Sequence, residues 1–252
     1  VYLPVGLFSV AMGIVCLPGM SRAWTRNDRA EMLSSLRYGL RYALFLGLPA
    51  AAFLAVLAVP LVRLLFEHGS FGVSSRNETV WALFFYLPGI PAFIAAKIAV
   101  TPFYARQDTK TPVKIAAFCL VLNVMLNVIL MQFLRQGGLA LATSICSYVN
   151  VGLLLYRLRS DIGPLGARPF LFSLGKTVVA TSAACGGTIV AALAAAPAIA
   201  GMQSLYGEAV AVFVPLGAGG VSYLLTAFAL RSNEARDLLQ VFTSHSQRSS
   251  DR

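Results

Sequence analysis

The polar residues that could do chemistry in this sequence are few, and most of them stand inside long apolar runs. Lys97 lies within the run 80–103, between Ile94-Ala95-Ala96 and Ile98-Ala99-Val100. A lysine at the centre of a membrane helix costs roughly 2.5–3.5 kcal/mol to insert. Two readings are open: a lysine that snorkels to the interface, or a cation facing a polar cavity that receives an anion. Asn123 and Asn127 are four apart, which stacks them on one face of a helix, with Gln132 further along. Thr143, Ser144, Ser147 and Asn150 form a similar patch in the next apolar run. Amide and hydroxyl oxygens from two adjacent helices suit a small cation such as Na⁺. The same groups also serve as interhelical hydrogen-bond glue.

Catalytic constellations do not emerge. The two histidines, His68 and His245, fall in an apolar-poor loop and in the C-terminal tail. Asp108 and Asp161 stand singly between apolar runs and read as helix caps or charge partners. Hydrolysis or phosphate transfer at a membrane needs carboxylates or histidines close together, to hold metal or move protons. Cys16, Cys119, Cys146 and Cys185 are far apart, each within an apolar run, so they read as packing residues rather than as a metal or disulfide framework.

The elements that position these residues are membrane helices. The chain has 252 residues, 58% of them apolar and only 12% charged, against about 25% charged in a soluble domain. Seven segments are long enough to cross a bilayer: 1–18, 39–66, 80–103, 113–134, 139–158, 170–196 and 209–230. The second is too long for one span, and Pro60 predicts a turn onto the membrane surface with Arg63 snorkelling. Pro49, Pro88, Pro91 and Pro215 predict kinked or broken helices, which in transporters hinge or line a cavity. The Gly- and Ala-rich stretches 183–187 and 217–220 suit close helix packing or a groove for a lipid tail.

The net charge of +10 is a topology signal rather than a nucleic-acid footprint. Arg22, Arg26, Arg29, Arg37, Arg41, Arg106, Lys110, Lys114, Arg157, Arg159, Arg168 and Lys176 fall on one side when the spans alternate, as do the tail arginines. Arg63, Arg76 and Arg135 are left for the other. Positive residues stay in the cytoplasm, so the tail is expected there and Val1 toward the outside. The chain starts on Val and enters an apolar run at once, which is unlike a signal peptide and reads as a fragment with its upstream part missing.

The stretch Phe103-Tyr104-Ala105-Arg106-Gln107-Asp108-Thr109-Lys110-Thr111-Pro112-Val113-Lys114, with Leu3-Pro4-Val5-Gly6-Leu7-Phe8, resembles the MurJ (MviN) lipid II flippases. These belong to the multidrug/oligosaccharidyl-lipid/polysaccharide exporter superfamily. The resemblance implies an all-α, polytopic membrane bundle: the second lobe of a two-lobed flippase, lacking its first helix, over 1–158. Two additional C-terminal helices over 159–230 and a polar cytoplasmic tail over 231–252 complete it. It further implies movement of an undecaprenyl-pyrophosphate-linked peptidoglycan precursor to the outer leaflet, by alternating access, in a bacterial cytoplasmic membrane. Lys97 and Arg41 are the implied substrate-cavity residues. Asn123, Asn127, Leu139 and Thr143 match a family sodium site, except that Asn127 stands where the family has an acidic residue. Arg106, Gln107, Asp108, Lys110, Thr111, Pro112 and Lys114 form the signature loop, while the family's cavity arginines fall upstream of this sequence. No cofactor is expected, and the coupling ion, Na⁺ or a proton, is left open. The expected partners are the lipid-linked precursor, the bilayer and cell-wall synthesis proteins, with no nucleic acid. The alternatives are a related polysaccharide-lipid or multidrug exporter, an inactive flippase-like scaffold, or a membrane enzyme.

Overall fold

The computed structural model describes Gly6 and residues 18–66, 72–163, 166–200, 205–232 and 234–235. Every element among them is helical. A first helix, α1, is described over 18–25, and is followed by α2 (Arg29–Val56), α3 (Ala58–Phe66), α4 (Val73–Tyr86) and α5 (Gly89–Ala105). Then come α6 (Lys110–Leu134), α7 (Gln136–Ile162), α8 (Ala167–Ala200) and α9 (Leu205–Ala229). Five of these are long and apolar enough to cross a membrane, and six spans result if α4 and α5 are taken as one bent span. The chain is therefore a multi-pass membrane protein. Of the seven expected spans, the segment 1–18 lies outside the described residues apart from Gly6 and Pro18.

The segment 39–66 starts earlier than expected and breaks close to Pro60, where a turn was expected. Its helix begins at Arg29, because the Asp28 side chain accepts from the Glu31 backbone N–H at 2.9 Å and caps it. Much of the stretch between the expected spans 1–18 and 39–66 is thus helical. The helix breaks at Leu57, ahead of Pro60, which then sits in the first turn of α3, where its missing N–H leaves no partner wanting. Pro49 and Pro215 lie inside continuous helices, whereas of these prolines the Pro88–Pro91 region interrupts a span.

The residues form two compact units, 1–167 and 168–252. In the first, α5 is the central helix, packed between α2 and α7. Ile90, Ile94, Ile98, Ala99 and Phe103 on α5 are buried, as are Leu36, Ala43 and Phe45 on α2 and Ala140, Ala142 and Leu154 on α7. Small residues let these helices approach closely, and van der Waals contact is what holds helices together in lipid. The α6–α7 hairpin turns on one residue, Arg135, at φ 51°. A side chain on Gly138 would run into the Leu130 carbonyl, so this sharp return requires glycine there. Away from α7, α6 leaves Phe118, Leu120, Val121, Val124, Met125 and Val128 exposed, a lipid-compatible face.

The second unit pairs α8 with α9 through small residues, of which Ala184 and Gly187 belong to the expected stretch 183–187, while Gly217 and Gly220 face open space. Ala180, Ala184, Thr188 and Ala227 are buried, and a Cβ on Gly187 would lie 2.9 Å from Ser222 Cβ. The Ser222 hydroxyl donates to the Ala183 carbonyl at 3.1 Å.

Candidate functional site

Lys97 sits midway along the most enclosed helix of the first unit, yet its own side chain is exposed. The neighbours on its stripe, Phe93, Ala96 and Val100, are half-buried, and Tyr104 is exposed. The remaining faces of α5 are covered by α2 and α7. Among the described residues, Lys97 Nζ has no hydrogen-bond or ion-pair partner. Arg41 is half-buried on α2. The two helices touch where a Cβ on Gly47 would lie 3.0 Å from Pro91 Cα. Arg41 precedes Gly47 by as many residues as Lys97 follows Pro91, so in antiparallel helices the two cations fall at the same level.

The proposed ion set is self-paired. Asn127 Nδ2 donates to Asn123 Oδ1 at 3.0 Å on α6, and the Thr143 hydroxyl donates to the Leu139 carbonyl at 2.9 Å on α7. Asn127 lies as far before Arg135 as Thr143 lies after it, so the hairpin brings these two level, with Asn123 a turn farther from Arg135 and Leu139 a turn nearer. Asn127 Oδ1 is buried and accepts no hydrogen bond among the described residues. On the next turns, Ser147 donates back to the Thr143 carbonyl, while Ser144 reaches across to another helix, as does Tyr148.

The signature loop is a helix stop followed at once by a helix start. Asp108 N–H bonds to the Phe103 carbonyl and Gln107 N–H to the Tyr104 carbonyl, a Schellman pair with Gln107 left-handed at φ 60°. Asp108 then accepts from the Thr111 backbone N–H at 3.1 Å and starts α6. The Thr111 side chain, and next its backbone, hold the Asp108 carboxyl below the usual aspartate range. Lys110 and Lys114 are exposed on the first turns of α6, and Pro112 is buried there without needing an N–H.

Arg106 turns inward instead. Its guanidinium pairs with Asp161 at the end of α7 and stacks over the rings of Phe103, at 4.8 Å, and Trp24, at 5.8 Å. One side chain thereby ties together the ends of α1, α5 and α7. The sequence reading recognised Arg106 and Asp161 but not their pairing, nor Trp24.

In the second unit the missed residue is Glu234, a buried carboxylate just past α9. It accepts from the Ser173 hydroxyl at 2.7 Å and the Ser232 hydroxyl at 2.6 Å. Lys176 Nζ, resting over the Phe172 ring, donates to the Arg231 carbonyl. The start of the segment expected as a solvated tail is thus packed on α8, because two hydroxyls satisfy its carboxylate; the expectations for 236–252 lie outside the described residues.

Similarity to known proteins agrees with this architecture. The family model for lipid II flippase MurJ matches residues 1–212. A probable lipid II flippase MurJ of Vibrio cholerae is 38% identical over 154 residues, covering 61% of this chain and 29% of that protein. Its counterpart in Rickettsia prowazekii is 35% identical over 151 residues, covering 60% and 30%. A solved lipid II flippase MurJ in an inward closed conformation superposes with a TM-score of 0.69 at 25% identity, over 94% of this chain and 45% of that one. The chain therefore matches less than half the length of these proteins. On the strength of the family match over most of its residues, the chain belongs to the MurJ lipid II flippase family.

Proposed function

We propose that this chain forms part of a flippase that carries undecaprenyl-pyrophosphate-linked disaccharide-peptide to the outer leaflet for cell-wall synthesis. It would sit in a bacterial cytoplasmic membrane with its C-terminus inside, an orientation that the distribution of Lys and Arg supports. The observation that carries the reading is Lys97: an exposed cation inside a span, without a partner among the described residues, on a helix whose other faces are buried. A pyrophosphate cannot enter the membrane interior without compensating cations, since an unpaired buried charge is expensive. Lys97, with Arg41 at its level, supplies such charge on the second-lobe side of a cavity. The precursor crosses without covalent chemistry, by two lobes alternating access around a midplane site. Residues 1–158 take the role of the second lobe and 159–230 that of the two C-terminal helices.

Asn127 is neutral where the family carries an acid, and two of the four oxygens in its set already accept hydrogen bonds. We therefore assign Asn123, Asn127, Leu139 and Thr143 to hydrogen bonds within α6 and within α7 rather than to capturing Na⁺. Transport that is indifferent to replacing Na⁺ by K⁺ supports this assignment, and strict sodium dependence abolished by Asn127→Ala overturns it. The function itself is tested by depleting a cell of its own flippase and supplying the complete gene that encodes this chain. Growth is expected with the natural sequence and not with Lys97→Ala at equal membrane levels. Failure of the natural sequence despite good expression contradicts the reading.

A further inference from the structure

The α4–α5 joint breaks a span of the first unit, bent by 46°. Pro88 has no N–H, so the Phe84 carbonyl loses its helical donor, and the carbonyls that follow meet a disrupted ladder. In lipid such groups must find partners inside the protein. Two carbonyls beside the break, those of Phe85 and Pro88, find donors on α7. The Ser144 hydroxyl donates to the Phe85 carbonyl at 2.7 Å, and the Tyr148 hydroxyl donates to the Pro88 carbonyl at 2.7 Å. The two donors are four apart, hence one above the other on a single helix face. The joint is also pressed against that face: a Cβ on Gly89 would lie 2.6 Å from Ser144 Oγ, which only glycine avoids.

We propose that Ser144 and Tyr148 are positioning residues that latch the α4–α5 bend and thereby aim the Lys97 stripe of α5. The inference rests on the flippase reading for its consequence, though not for its geometry. A bent span freed of this latch straightens or splays, because backbone carbonyls left without donors favour whichever geometry restores them. Ser144 and Tyr148 thus act through α5, touching no substrate themselves. Losing one such hydrogen bond shifts the ratio of bent to released joint by roughly two- to tenfold, and losing both multiplies the effect.

The test places spin labels at Asn77 on α4 and Tyr104 on α5 in the complete, cysteine-free protein in liposomes, and measures the distance between them. Ser144→Ala with Tyr148→Phe is expected to broaden and shift the distribution, while Ser144→Thr, which keeps a hydroxyl, restores it. Transport by the double variant is expected to fall roughly tenfold, with recovery in the Ser144→Thr form. An unchanged distribution in the double variant overturns the latch, and a shifted distribution with normal transport overturns its positioning role. Lys97→Ala measured alongside separates the two readings: normal transport there contradicts the role of Lys97 and leaves the latch, read by distance, standing.

Discussion

Two turns in the first unit have the same backbone and different side-chain work. Arg26-Asn27-Asp28 ends α1 and starts α2; Arg106-Gln107-Asp108 ends α5 and starts α6. In each, the aspartate N–H reaches the carbonyl five residues back, and the residue before it is left-handed, at φ 55° in Asn27 and φ 60° in Gln107. In each, the aspartate side chain then caps the next helix, through Glu31 in one and Thr111 in the other. The arginines part company. Arg26 is exposed, whereas Arg106 is largely buried in its pair with Asp161 and its stack on Trp24 and Phe103. The backbone of such a turn therefore needs only an aspartate and a residue tolerant of positive φ. The signature at 103–114 includes something more: a side chain that joins three helix ends.

Substituting the two arginines gives the largest expected contrast. Arg106→Ala removes a stacked, mostly buried guanidinium and is expected to cost about 2 kcal/mol, the exposure of Asp161 reducing what a fully buried pair loses. Arg26→Ala is expected to stay within about 0.5 kcal/mol. Thermal melting of the purified protein in detergent checks both, and equal effects would erase the distinction between the turns.

The shared part of the comparison predicts a smaller and symmetric effect. Asp28→Ala and Asp108→Ala each remove a helix cap and are expected to lower the melting temperature by similar amounts. A loss at only one of them contradicts the equivalence of the backbones. Acid should expose the Asp108 cap in the same assay. Its folded pKa is depressed, so its contribution is complete above the ordinary aspartate value near 4 and is lost as pH falls through the lower folded value. The stability gap between natural protein and Asp108→Asn should accordingly close in that acid window, and a gap that widens on acidification contradicts the sign. Smallest of all, Gln107→Gly relieves a left-handed side chain and should stabilise by several tenths of a kcal/mol, up to about 1.

The spans and the signature loop were legible because each depends on the chain near it. Apolar runs report helices that cross lipid, and Asp108 three residues before Thr111 reports a cap. What stayed hidden depends on a second helix. Ser144 and Ser147 look alike in sequence, yet Ser147 bonds back along α7 and Ser144 crosses to the α4–α5 break. Trp24 gave no sign of lying under Arg106, a residue on a different helix end. Glu234 read as part of a solvated tail because its two hydroxyl partners include Ser173, on α8. The start of α2 was missed for another reason: arginines suggested a loop, while the Asp28 cap overruled them.

Lys97 bears most directly on the account as a whole. In cells depleted of their own flippase, the complete gene carrying Lys97→Ala, Lys97→Arg or the natural lysine is expressed at matched membrane levels and growth is scored. Growth with lysine and with arginine but not with alanine is the predicted result, since the charge at that level of the span is what matters. Full growth with alanine would contradict the assignment of Lys97 as the cation that meets the lipid-linked pyrophosphate.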